Sequence, residues 1–118
     1  MGKSILKDKS YAFAILIVKL SQLLVTEKKE YVLSKQLLRS GTAVGALIRE
    51  AEFAQSKADF IHKMSISLKE ANETLYWIDL LKDTNYIDKQ QYENHYHLNK
   101  ELVAMLVSSI KTSKNSLK

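Results

Sequence analysis

"QLLRSGTAVGALIREAEFAQSKADFIHKMSISLKEANETLYWIDLL", residues 36–81, decides the fold. Its two ends read as helices and its centre as the turn between them. Beyond the turn, Ile61, Met64, Leu68, Ala71, Leu75 and Ile78 recur in alternating steps of three and four, a seam of bundle-type packing. Before it, Leu33, Leu37, Val44, Ile48 and Ala51 supply the partner stripe. In "QSKAD", residues 55–59, Ser56 is a good N-cap and Asp59 stands where a capping box needs its acid. So short a turn makes the two helices antiparallel neighbours.

Gly41 and Gly45 lie inside the first of these helices, although the chain has only three glycines. Each costs a helix interior about 1 kcal/mol relative to alanine. Four residues apart, they share a face, and with Ser40, Ala43 and Ala46 they form a smooth patch that lets another helix come close. That helix can belong to the same chain or to a second subunit. The stretch is no phosphate-binding loop, because it follows no strand and lacks the Gly-Lys-Ser/Thr ending. A turn centred near Gln55 and Ser56 puts Gly41 level with Glu70, Gly45 with Ile66, Arg39 with Asn72 and Glu73, and Arg49 with His62. Arg39 is therefore expected to pair with Glu73 or Glu70, and Arg49 with Glu52 or Asp59.

Working outward, helices are expected over residues 8–26, 31–54, 57–83 and 88–112. "TEKKE", residues 26–30, ends the first, and "TNY", residues 84–86, is the turn before the fourth. Asp88 can cap the fourth helix, with Gln91 at the third position. Tyr92, Tyr96, Asn99, Val103, Leu106 and Ile110 form its seam, with Leu102 beside them, and residues 113–118 are expected to fray. The chain has 118 residues, no proline and no strand alternation. The expectation is a single all-α domain, an antiparallel up-down-up-down four-helix bundle.

The first helix is apolar nearly all round, at residues 11–18, 20, 23, 24 and 25. The third carries Phe60, Trp77 and Leu81 off its seam. A small bundle buries one stripe of each helix, so a second apolar face is expected to meet another chain and form a homo-oligomer. "YAFAILIV", residues 11–18, ends at Lys19, too short to cross a membrane and without a cleavage site behind it. It reads as a buried helix, and no membrane partner is expected.

Cysteine is absent, which removes disulfides, thiolate zinc sites and cysteine nucleophiles, and fits a reducing, cytoplasmic setting. Asp59-x-x-His62 is the one approximate match to the Glu-x-x-His pairs of bundle metal sites, while His95 and His97 point to different faces. No Gly-x-Ser-x-Gly elbow occurs. No cofactor, metal or catalytic residue is expected, and the protein is read as not an enzyme.

The formal charge is +5, and residues 1–39 hold the whole excess, with eight Lys/Arg against three acids. Lys28, Lys29, Lys35 and Arg39 cluster around the start of the second helix. Lys3, Lys7 and Lys9 precede the first, and Lys111, Lys114 and Lys118 close the chain. In an up-down-up-down bundle the two termini adjoin. Lys28, Lys29, Lys35, Arg39, Lys111 and Lys114 are the candidate phosphate contacts. A solvated lysine-rich surface is the alternative.

"RSGT" (residues 39–42), "IREA" (48–51), "QSKADFIHK" (55–63) and "LKEANETLYW" (68–77) resemble the four-helix-bundle proteins encoded within intervening sequences of bacterial 23S ribosomal RNA genes, also labelled S23 ribosomal proteins. The resemblance implies a homopentamer, a ring of antiparallel four-helix bundles. It also implies a fold similar to the accessory variability protein of diversity-generating retroelements, a basic pentameric barrel that associates with a reverse transcriptase and nucleic acid. No catalytic residues come with it. Arg39, Ser40, Gly41, Gly45, Arg49, Glu50, Ser56, Asp59 and Phe60 are architectural, and Glu70, Glu73 and Trp77 join the packing and assembly set. The expected function is a non-enzymatic oligomeric accessory or scaffold protein associated with RNA or another nucleic acid. The alternative is a purely protein-binding structural oligomer.

Overall fold

In a computed structural model, which describes residues 2–117 and the side chains of residues 5–116, the chain folds as four helices. These are α1 (Gly2–Lys28), α2 (Leu33–Glu52), α3 (Lys57–Asp83) and α4 (Lys89–Leu117), with no strand among the described residues. Each helix packs on its sequence neighbour, and α1 and α4 close the square. The bundle measures 50 × 22 × 20 Å.

Local chemistry sets the ends. α1 stops because Lys29 takes a left-handed conformation (φ 54°), and the Glu30 N–H turns back to the Leu24 carbonyl at 3.0 Å. The Glu30 carboxylate then accepts the N–H groups of Val32 (3.2 Å), Leu33 (3.0 Å) and Ser34 (2.7 Å), capping α2. Burial pushes the Glu30 carboxyl up, but the backbone bonds from Leu33, Ser34 and Val32 outweigh it, and its pKa lies below the usual value. Glu30→Ala is expected to lose about 1–2 kcal/mol of stability at pH 7, read from urea denaturation, with Glu30→Gln losing less.

α3 begins as the sequence implies. The Ser56 hydroxyl accepts the Asp59 N–H at 3.1 Å, and the Asp59 carboxylate accepts the Gln55 N–H at 3.2 Å. Asp88 and Gln91 exchange bonds at 2.8 and 2.9 Å and start α4. Other bounds differ from the sequence expectation. α1 starts at Gly2 rather than residue 8, and α4 continues to Leu117 rather than fraying after residue 112, since neither segment holds a proline to stop it. α2 is shorter at both ends, because the Glu30 cap delays its start and Phe53 leaves helical geometry (φ −108°, ψ 22°). Lys118 lies outside the described residues, as does the Lys3 side chain.

Phe13, Ile17, Leu24, Leu37, Val44, Ala71, Ile78, Leu81, Leu102 and Leu106 are wholly buried. Leu81 is thus core, and Phe60 and Trp77 are half-buried against the same core. That corrects the assignment of Leu81 to a second free face, because the side chains of a four-cornered bundle cover more than one stripe of α3, while Phe60 and Trp77 keep part of their surface exposed. By length and composition α1 could span a membrane over Ile5–Lys28, a longer apolar stretch than the eight-residue run suggests. In the bundle one stripe of α1 is laid against α2 and α4.

Polar bonds cross the helix pairs. Ser21 donates to the Ser34 carbonyl (3.2 Å), Ser67 to the Val44 carbonyl (2.9 Å) and Asn99 to the Ala71 carbonyl (2.9 Å), while the Thr74 and Ser40 hydroxyls lie 2.9 Å apart. The α2–α3 pairs match the register read from the turn. The glycines admit α1. A Cβ on Gly41 would lie 2.7 Å from Ile17, and one on Gly45 would lie 3.3 Å from the Ser10 carbonyl oxygen. Their neighbour is therefore the same chain.

Candidate functional site

The best-formed polar cluster spans α2 and α3. Glu70 and Glu73 lie three residues apart on one face of α3, and the hairpin register brings Arg39 to both. Its guanidinium bonds Glu70 at 3.2 Å and pairs directly with Glu73. One turn on, the Trp77 indole N–H donates to the Glu73 carboxylate at 3.0 Å. The predicted Arg39 pairing is therefore present, and Trp77 belongs to the same network, a bond the hairpin register alone does not reveal.

The Glu73 carboxyl is held below its usual value of 4.5, first by the Trp77 bond, which burial opposes, and then by Arg39. Arg39 is raised in turn, chiefly by its bond to Glu73. A carboxyl whose folded pKa is depressed stabilises the fold above its unfolded pKa and loses that contribution as pH falls through the folded value. Arg39→Met should therefore lower the urea midpoint at pH 7 and flatten its decline below about pH 4.5. Arg39 is half exposed, so the loss at pH 7 is expected to be about 0.5–1 kcal/mol.

Arg49 departs from expectation. Glu52 pairs with Lys7 at 3.2 Å, and Asp59 serves the α3 cap with Lys63 3.8 Å away. Among the described residues Arg49 has no carboxylate partner, and its guanidinium lies over the Tyr11 ring, 5.2 Å from the centre. The turn register could not show this, because Tyr11 comes from α1.

The cations fall into two groups. Lys28, Lys29 and Lys35 are exposed at the end that holds the α1–α2 turn. Lys111 and Lys114 are exposed at the opposite end, beside the start of α1. None of these five has a carboxylate partner among the described residues, whereas Arg39 is paired and Lys9 bridges to Glu101 at 3.0 Å. The six candidates thus do not make one patch: the bundle's 50 Å length separates the groups.

α1 also presents apolar side chains outward. Ile5, Tyr11, Ile15 and Val25 are exposed, and so are Val32, at the N-cap position of α2, and Leu38 on α2. Beside Tyr11 a hollow of about 280 Å³ is lined by Ala14, Thr42, Gly45 and Ala46, with Ser10 and the cations Lys7 and Arg49 also in its wall. The small residues thus serve α1 on their inner side and leave a smooth outer one.

Among the described residues no three metal-ligating side chains come together. His62 and His97 are exposed, while His95 is buried with Nδ1 2.7 Å from the Gln91 carbonyl. Burial and the bond to Asp79 push the Tyr92 phenol up to about 12, so it stays protonated at neutral pH.

Residues 3–108 match the family of 23S rRNA-intervening sequence proteins. No curated protein matches the chain. Among solved structures, the bundle is similar to a protein of unknown function from the S23 ribosomal protein family of Bacteroides thetaiotaomicron. The two share 56% identity over 94% of this chain and 99% of that one, with a TM-score of 0.93.

Proposed function

The chain belongs to the family of 23S rRNA-intervening sequence proteins, and from that premise we propose that it is a non-enzymatic scaffold that assembles with itself and associates with RNA through its lysine-rich ends. The observation that carries this reading is the pairing of exposed apolar side chains on α1 and α2 with five exposed lysines at the ends that have no carboxylate partner among the described residues. Exposed large apolar side chains of this number suit a protein contact, and exposed cations suit phosphate. We take the assembly as a ring of five, which would multiply the +5 of each chain into one strong field. A location in the cytoplasm fits the cysteine-free sequence.

Sedimentation tests the assembly. A multiple of 13.5 kDa is expected, shifted toward monomer by Tyr11→Glu with Ile15→Glu, and a wild-type monomer would refute it. A gel shift with structured RNA tests the ends. Binding should weaken as salt rises, and a Lys28→Glu, Lys29→Glu, Lys35→Glu variant should bind more weakly with a shallower salt dependence. No shift at low salt would leave the purely protein-binding scaffold.

A further inference from the structure

At the end holding the α2–α3 turn, the bundle opens into a groove of about 810 Å³ between the start of α1, that turn and the C-terminal half of α4. Its floor is Phe60, Met64 and Met105, backed by Leu6 and Ile48. We propose that this groove binds an anionic single-chain amphiphile, a long-chain carboxylate, with its chain along the floor and its head at Lys57.

The volume lies within the range of small-molecule sites, and the lining has their character: a mostly apolar wall with a few polar groups on one side. Two methionines and a phenylalanine suit a flexible alkyl chain, because thioether side chains adapt to its shape. The other wall is a row of short hydroxyl side chains on α4, Ser108, Ser109, Thr112 and Ser113, which leaves a trough and supplies hydrogen bonds near the mouth. Charge selects the head group. Lys57 lines the groove at the start of α3, where the helix dipole also favours an anion, and it donates to the Ser116 hydroxyl at 2.6 Å without a carboxylate partner among the described residues. Glu52, the one acid in the lining, is engaged by Lys7 at 3.2 Å. Lys111 and Lys114, with no carboxylate partner among the described residues, add positive charge at the same end. The floor, the hydroxyl row and the cation thus fit one molecule with an oily tail and a negative head. This proposal is independent of any RNA role.

Displacement of fluorescent cis-parinarate by laurate, with dodecanol as the uncharged control, tests it. Saturable displacement is expected, and Ser108→Trp or Ala104→Trp, both at exposed positions, should abolish it while the helical circular dichroism stays unchanged. Lys57→Met should weaken laurate about threefold and leave dodecanol unaffected. Absence of saturable displacement would overturn the proposal, as would displacement that survives both tryptophan variants. A wild-type protein that binds neither probe but dissociates when Ser108 becomes tryptophan would show that a second copy fills the groove instead. Equal weakening of laurate and dodecanol by Lys57→Met would overturn the placement of the head.

Discussion

Gly41→Ala is expected to destabilise the bundle by about 1–2 kcal/mol, although alanine is the better helix former by about 1 kcal/mol. The added Cβ would sit 2.7 Å from both Cγ1 and Cγ2 of Ile17, a distance that real contacts do not sustain. Ile17 is wholly buried and branched at Cβ, so it has no free rotamer into which to swing. α1 must move outward instead, loosening Phe13 and Leu24, which lie on the same buried stripe. Gly45→Ala meets the Ser10 carbonyl oxygen at 3.3 Å, a milder crowding that the gain in helix propensity should roughly offset. Urea denaturation at fixed protein concentration ranks the two. Ile17→Ala should cost about 2–4 kcal/mol alone, yet the double variant with Gly41→Ala should cost clearly less than the sum, because the smaller side chain makes room for the Cβ. A Gly41→Ala protein more stable than wild type would sink this account of the crossing.

Asn99→Leu is expected to act in the opposite direction, raising stability by about 1–2 kcal/mol. Asn99 is wholly buried in α4. Its Nδ2 donates to the Ala71 carbonyl at 2.9 Å, but its Oδ1 has no partner among the described residues. Leucine removes the stranded oxygen, at the loss of one bond that contributes about 1 kcal/mol. The Ala71 carbonyl keeps its place in the hydrogen-bonding ladder of α3, so it is not orphaned. Asn99→Asp should instead lose about 3 kcal/mol at neutral pH, because it places an unpaired charge in the core. A rise in urea midpoint for the leucine variant and a fall for the aspartate variant is the expected pair. If the leucine variant is the less stable of the two, the orphaned oxygen is not a liability.

The four helices, the turn at Gln55 and Ser56 and the Arg39 pairing were legible because each depends on residues close in sequence or across one short turn. Ser67 under Val44 and Arg39 beside Glu70 and Glu73 follow from the position of that turn alone. The partner of Arg49 was not legible, since Tyr11 reaches it from another helix pair whose offset no turn residue sets. The neighbour of the glycines stayed open for the same reason: a smooth face does not name the helix that fills it. The Glu30 cap was hidden because its carboxylate reaches forward from outside the helix, while the N-cap position itself holds Val32. Among the surface residues, the division of the lysines between two ends was legible as well, because an up-down-up-down order puts both termini at the end opposite the α1–α2 turn.

The buried polar bonds have a consequence for alignment. A seam of aliphatic residues repeating every three or four positions would close almost as well if one helix slid along its neighbour by a turn, about 5.4 Å. Sliding α2 past α1 would take Ser21 away from the Ser34 carbonyl, and sliding α3 or α4 would part Ser67 from Val44 and Asn99 from Ala71. Each slip strands a donor away from water, so the wrong alignments are penalised even where their oily contacts are good. The Asn99→Leu protein, although more stable, should for that reason hold α4 less uniquely, with broader methyl resonances at the α3–α4 seam than the wild type.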